Sequence, residues 1–223
     1  MSVPDQLCPG PGLAFASLDI QEAIDHGQNA SALNDISNKR HHEFLAGRQV
    51  ANMALRQLIP DFGNTPMGRL PDGQADWPEG MVGSITHSHG LAMAMVGKRE
   101  QWRGVGLDLE TVMSADRAQR VAEKVLTPEE LDRSRSLAPE HYAQLVTLAF
   151  AAKEAVFKAI YPLVLRRFYF HDVSLEADHR LKLLHTLHPD WPAGSEVPLH
   201  CRVIEPVAKD APRILCWVLI PQA

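Results

Sequence analysis

Gly104-Val105-Gly106-Leu107-Asp108-Leu109-Glu110 is the stretch around which the rest of the chain is organised. It reads as the end of a β-strand. Side chains on a strand alternate between faces, so Asp108 and Glu110 share one face, with Cα atoms roughly 6–7 Å apart. Leu107 and Leu109 point the other way and can enter a core. Two carboxylates side by side repel each other, and a cation between them removes that penalty. Hard oxygen ligands of this kind suit Mg²⁺, which commonly takes one or two carboxylates, waters and substrate phosphates. Taken alone, the same residues also fit a strand running into solvent, with Asp108 and Glu110 in an exposed turn.

A second stretch, residues 145–161, bears on that choice. Leu145, Leu148, Ala149, Ala152, Val156, Ala159 and Ile160 recur at helical spacing and predict a helix with a broad apolar stripe. Pro162 is expected to stop it. Glu154 and Lys158 lie four apart on one face, flanked by Lys153. One reading is an i,i+4 ion pair on a solvated face. The other adds a third carboxylate and two ammonium groups to the Asp108–Glu110 pair, a combination suited to a metal-bound pyrophosphate.

The 223 residues make one large domain or two small ones. With 45% apolar and 22% charged residues the composition is that of an ordinary globular protein. A formal net charge of −5 argues against a general nucleic-acid binder, so a polyanionic ligand needs a local basic cluster. No run of about 18 apolar residues predicts a membrane span. The N-terminal residues lack the charged-then-apolar pattern of a signal peptide. Cys8, Cys201 and Cys216 form neither a metal spacing nor a disulfide framework. A reducing cytoplasm is the expected setting.

The remaining elements follow from pattern. Residues 1–38 read as loop or short helix around one strand, Gly12 to Ile20. Residues 39–59 predict a helix with Phe44, Leu45, Ala51, Ala54, Leu55 and Leu58 on its buried face. Residues 60–80, rich in Pro and Gly, predict an ordered loop. Residues 81–96 predict two strands turning at His89-Gly90. Leu126-Thr127-Pro128-Glu129-Glu130 reads as a helix start, with Thr127 as N-cap and Glu130 closing the cap. Strand-like runs at 166–176, 180–186, 198–206 and 213–220 suggest one antiparallel sheet over the second helix. The expected class is α+β, in two similar α/β halves meeting near residue 105, each a long helix packed on a small, largely antiparallel sheet.

In order along the chain, Trp77-Pro78, Gly83-Ser84-Ile85-Thr86-His87-Ser88, Gly106-Leu107-Asp108-Leu109-Glu110 and Phe150-Ala151-Ala152-Lys153-Glu154-Ala155-Val156-Phe157-Lys158 resemble the signatures of the 4′-phosphopantetheinyl transferases. The resemblance is to the surfactin-synthetase-activating type, enterobactin synthase component D-like branch, and runs from about Lys39 to about Ser174. It implies halves 1–105 and 106–223 related by a pseudo-twofold, with coenzyme A in the cleft between them. It implies transfer of the 4′-phosphopantetheine arm of coenzyme A to a serine of an apo acyl or peptidyl carrier protein, leaving adenosine 3′,5′-bisphosphate. Asp108, Glu110 and Glu154 would hold Mg²⁺. Asp108, Glu154 and Lys158 would be catalytic, with Glu154 also taking the serine proton. Arg48, Arg69, Thr86, His87, Lys153 and Lys158 would contact the coenzyme. Thr86 stands where the family usually has Ser, and keeps the hydroxyl. The implied protein is a monomer that binds neither nucleic acid nor membrane. A coenzyme A- or nucleotide-binding module without transferase activity would carry the same residues.

Overall fold

The computed structural model describes residues 10–20, 36–63, 67–205 and 211–222. Cys8 and much of the loop expected over residues 1–38 lie outside them. The chain divides into two compact units at the bond between Val105 and Gly106, and again after Ile220.

In the first unit, β1 (Leu13–Asp19), β2 (Met81–Ser88) and β3 (Leu91–Lys98) form an antiparallel sheet in the order β1-β3-β2. The β2–β3 hairpin turns at His89 and Gly90, as expected. Both take positive φ (43° and 82°), the geometry a tight two-residue hairpin requires. Helix α1 (Ile36–Leu58) lays Ala46, Val50, Ala51, Ala54 and Leu55 against Ala14, Ala16, Ala92, Ala94 and Val96 of β1 and β3. Phe44 and Leu45 do not join that face: they are 40% and 49% exposed. The small residues set the stripe, Leu45 falls on the solvent side, and the Phe44 ring lies beneath the Arg48 guanidinium, 4.6 Å from centroid to carbon. Residues 59–63 and 67–80 carry no helix or strand beyond an isolated Arg69–Ala75 bridge.

In the second unit, β4 (Trp102–Thr111), which begins in the first, leads into α2 (Ala115–Val125), α3 (Pro128–Ser134) and α4 (Pro139–Val164). Helix α4 begins earlier than its periodicity suggested, and Pro162 does not stop it. Proline removes one N–H without preventing the last turn from closing, and the helix ends where Leu165 turns left-handed and donates its N–H to Tyr161 O. Ala149, Ala151, Ala152, Ala155 and Ala159 are buried along it. The following strands do not make the single sheet expected. Strands β5 (Val173–Leu175), β6 (Arg180–Leu183) and β7 (Glu196–Pro198) pair antiparallel. Strands β8 (His200–Ile204) and β9 (Arg213–Pro221) pair antiparallel with each other, and β9 lies beside β4. Pro198, with no N–H for a ladder, marks the change from one sheet to the other. Residues 166–172 form no strand. Among the described residues no helix is long and apolar enough to cross a membrane.

Candidate active site

The site in the second unit is built on a bare backbone contact. A Cβ on Gly106 would stand 1.8 Å from Ala155 O and 2.8 Å from Ala159 N. The turn of α4 bearing Glu154 and Lys158 therefore rests directly on β4, two residues before Asp108. Lys158 Nζ donates to Asp108 Oδ1 at 2.7 Å and to Leu107 O at 3.1 Å. Leu107 and Leu109 are fully buried, as the strand alternation predicted. Asp108 is only 5% exposed, so the exposed-turn reading of this stretch does not hold.

Glu110 and Glu154 complete the cluster. Burial pushes the Glu110 carboxyl up to about 7, with Asp108 and Glu154 adding to the rise and Arg117 and Lys158 opposing it. Burial also raises the Glu154 carboxyl; Lys158 opposes, and Asp108 adds. The carboxylates thus repel one another, but burial is the larger cause of both rises; Lys158 opposes the repulsion at both, and Arg117 at Glu110. Arg117 was not singled out from the sequence. Its signal was its place in the first turn of α2, where its N–H is capped by Ser114 Oγ.

Among the described residues no group of three or more His, Cys, Asp or Glu forms a ready-made metal site. The crowded carboxylates fit a hard cation in another way. They supply charge and oxygen but not a closed cage, the situation in which Mg²⁺ completes its shell with water and substrate phosphate.

Lys153 is not brought to this cluster. Its side chain is 1% exposed, and Nζ donates to Glu130 Oε2 at 2.7 Å and to Val125 O at 2.8 Å. Burial lowers its pKa against the pull of Glu130. Glu130 in turn does more than cap. Its carboxylate accepts from Thr127 N in the cap, from Lys153 and from Leu175 N, tying α3, α4 and β5 together. A contact from Lys153 to coenzyme A is at odds with that placement, because its ammonium is already committed inside the unit.

The first unit holds the other candidates. Arg48 Nη2 donates to Gly68 O at 3.2 Å, and Arg69 Nε donates to Gly73 O at 3.2 Å. Burial lowers the Arg48 pKa, and the neighbouring Arg69 guanidinium lowers it further. The buried Nε of Arg48 has no hydrogen-bond partner. Two guanidinium groups held close, one with an unused buried donor, suit a phosphate. Thr86 and His87 do not share a face. Thr86 is 4% exposed, whereas the next side chain on β2, His87, is 45% exposed and has Nδ1 3.8 Å from Glu43 Oε2 of α1.

Comparison with known proteins bears on both units. A family model described as the 4′-phosphopantetheinyl transferase N-terminal domain matches residues 28–97. A second, described as the 4′-phosphopantetheinyl transferase superfamily, matches residues 104–197. The 4′-phosphopantetheinyl transferase PptT of Mycobacterium tuberculosis is 37% identical over 63% of this chain and 60% of its own length. Enterobactin synthase component D of Salmonella typhimurium is 34% identical over 57% of this chain and 51% of its own. The chain thus spans between about half and three-fifths of these relatives. A solved holo-(acyl-carrier-protein) synthase of Bacillus anthracis, in complex with CoA (3′,5′-ADP), matches at 17% identity and a TM-score of 0.34, over 55% of this chain and 99% of that one. With adjoining models of one superfamily matching both units, the chain belongs to the 4′-phosphopantetheinyl transferase superfamily.

Proposed function

We propose that the protein transfers the 4′-phosphopantetheine moiety of coenzyme A to a serine of an apo carrier protein in a Mg²⁺-dependent reaction. The observation that carries this reading is the seating of Glu154 and Lys158 on β4 beside Asp108, through the side-chain-free contact at Gly106. Asp108, Glu110 and Glu154 would hold Mg²⁺. When bound, the ion supplies positive charge to the pyrophosphate as the leaving group departs. Lys158 adds a second positive charge at that place. Glu154, its carboxyl raised above the ordinary carboxylate range by burial, would accept the serine proton. Arg48 and Arg69 would bind the phosphorylated nucleotide end, with His87 and the Thr86 hydroxyl as further contacts.

Intact mass spectrometry of several apo carriers, incubated with the protein, coenzyme A and Mg²⁺, tests the reading. The expected result is a gain of one phosphopantetheine group on the carrier, abolished by a chelator. Coenzyme A binding without mass gain on any carrier would favour a binding module instead.

A further inference from the structure

Among the described residues, the large apolar side chains most open to solvent are Leu165, at 70% exposure, and Tyr169, at 71%. They bracket Arg166 and Arg167, both exposed. Between them Phe168 is buried, its ring centroid 5.2 Å from that of Phe157, which stacks on Tyr161 at 5.1 Å. The segment is therefore pinned by an aromatic plug, and its outward side chains are held in place.

Leu165 carries two local penalties. It closes α4 at φ 50°, a left-handed conformation that glycine adopts far more readily. It also holds its isobutyl group in water. Of the three described non-glycine residues with positive φ, Leu165 alone is apolar; His89 and His179 are the others. Strain and exposure on one pinned residue call for a function outside the fold's own stability. The basic neighbours narrow the choice of partner. In a chain with a net charge of −5, two adjacent exposed arginines between two exposed apolar groups match an acidic surface studded with apolar side chains.

The geometry points to Leu165–Tyr169 as a docking surface for the carrier protein, which would meet the two arginines with acidic groups and the two exposed apolar side chains with apolar ones. This rests on the transferase reading above. Leu165 lies seven positions after Lys158, about 10 Å along a helix axis. One contact patch of roughly 800 Å² per partner covers that distance. Helix α4 would thus carry both the chemistry and, at its end, the grip that presents the acceptor serine to it.

The test compares wild type with Leu165→Gly and with the double variant Arg166→Glu/Arg167→Glu. Leu165→Gly removes the side chain while relieving its backbone, so it should melt no lower than wild type. Coenzyme A affinity and kcat should stay unchanged in both variants. The carrier KM should rise roughly tenfold or more, as for loss of an interface anchor. A carrier whose acceptor serine is replaced by alanine should lose affinity by the same factor. For the charge reversal the effect should shrink as salt is raised. Unchanged carrier KM and affinity in both variants would overturn the surface while leaving the transferase reading intact. A wild type that neither modifies nor binds any carrier would overturn both.

Discussion

Lys158 Nζ lies 2.7 Å from Asp108 Oδ1, and the two members of this pair are unequally buried: 7% of the Asp108 side chain is exposed against 28% of Lys158. That inequality sets an order of stabilities. Removing one member of a buried pair leaves the other charged and desolvated. Lys158→Ala leaves the more deeply buried carboxylate behind, whereas Asp108→Ala leaves an ammonium that can reach water. Lys158→Ala should therefore destabilise more, by about 3 kcal/mol against about 1–2 kcal/mol. Both should lose transfer. Urea unfolding gives the order. Equal small losses would mean that the pair is screened by solvent, and full activity in folded Asp108→Ala would remove Asp108 from the site.

Gly106→Ala tests the contact that builds the site. The added methyl would meet the Ala155 carbonyl at 1.8 Å, and a helix backbone cannot rotate away as a side chain can. The cost should lie at the upper end of overpacking, about 3 kcal/mol. Where the protein still folds, turnover should fall further than coenzyme A affinity, because α4 is pushed off β4. A variant with wild-type stability and rate would show that the contact is looser than described.

Lys153 and Glu130 should behave as a structural pair. Each is nearly inaccessible, and Glu130 also holds Thr127 N and Leu175 N. Lys153→Met leaves a buried carboxylate without its cation and should destabilise by about 3–5 kcal/mol. The variant that remains folded at low temperature should keep its coenzyme A affinity. A specific fall in that affinity with unchanged stability would return Lys153 to the binding site.

These residues also show where the sequence was readable. Two short periods, two on the strand and 3.6 on the helix, put Asp108 with Glu110 and Glu154 with Lys158, and both pairings concern near neighbours in the chain. Lys153 is one residue from Glu154, yet a helix turns its side chain about 100° away, into the core. Its partner Glu130 is 23 residues off, which no periodicity reaches. Glu130 could be read only as a cap because the cap is the local part of its role. Phe44 and Leu45 were misplaced for a related reason. Apolar character counted towards burial, but the alanines around them decided which face of α1 approached the sheet. The split into two sheets depends on where β7 ends and β8 begins, a choice between strand partners that alternation does not encode.

Glu110 makes stability depend on pH. Its carboxyl is raised from an ordinary 4.5 to about 7 in the folded protein. Between those values the folded state binds more protons than the unfolded one, so stability is full below about pH 4.5 and falls as pH rises to about 7. Partial exposure limits the effect to about 1–2 kcal/mol. Glu154, also raised, contributes in the same direction. Glu110→Gln resembles the protonated carboxyl and should flatten much of the slope, leaving the variant more stable than wild type at pH 8. Denaturant titrations at several pH values without divalent ions measure this. An unchanged slope in the variant would place its origin elsewhere.

Glu154 is the residue where the proposed chemistry is most exposed to test. Glu154→Gln keeps the size and one ligating oxygen but removes charge and basicity. As a positioned base, Glu154 is worth roughly 10²–10⁴-fold in turnover, and coenzyme A affinity in excess Mg²⁺ should change far less. As a metal ligand only, its loss should be largely recovered by raising Mg²⁺. As a partner of Lys158 on a solvated face, it would contribute only about 0.2–0.5 kcal/mol and the variant would be nearly wild type. The last outcome is already disfavoured, because burial raises the carboxyl and Lys158 gives its short contact to Asp108 instead. Turnover and coenzyme A affinity across a Mg²⁺ titration separate the first two. A rate still depressed at saturating Mg²⁺, with affinity intact, assigns the proton to Glu154. A near-normal rate at every Mg²⁺ concentration would remove Glu154 from the chemistry and, with it, the reason for α4 to approach β4 so closely at Gly106.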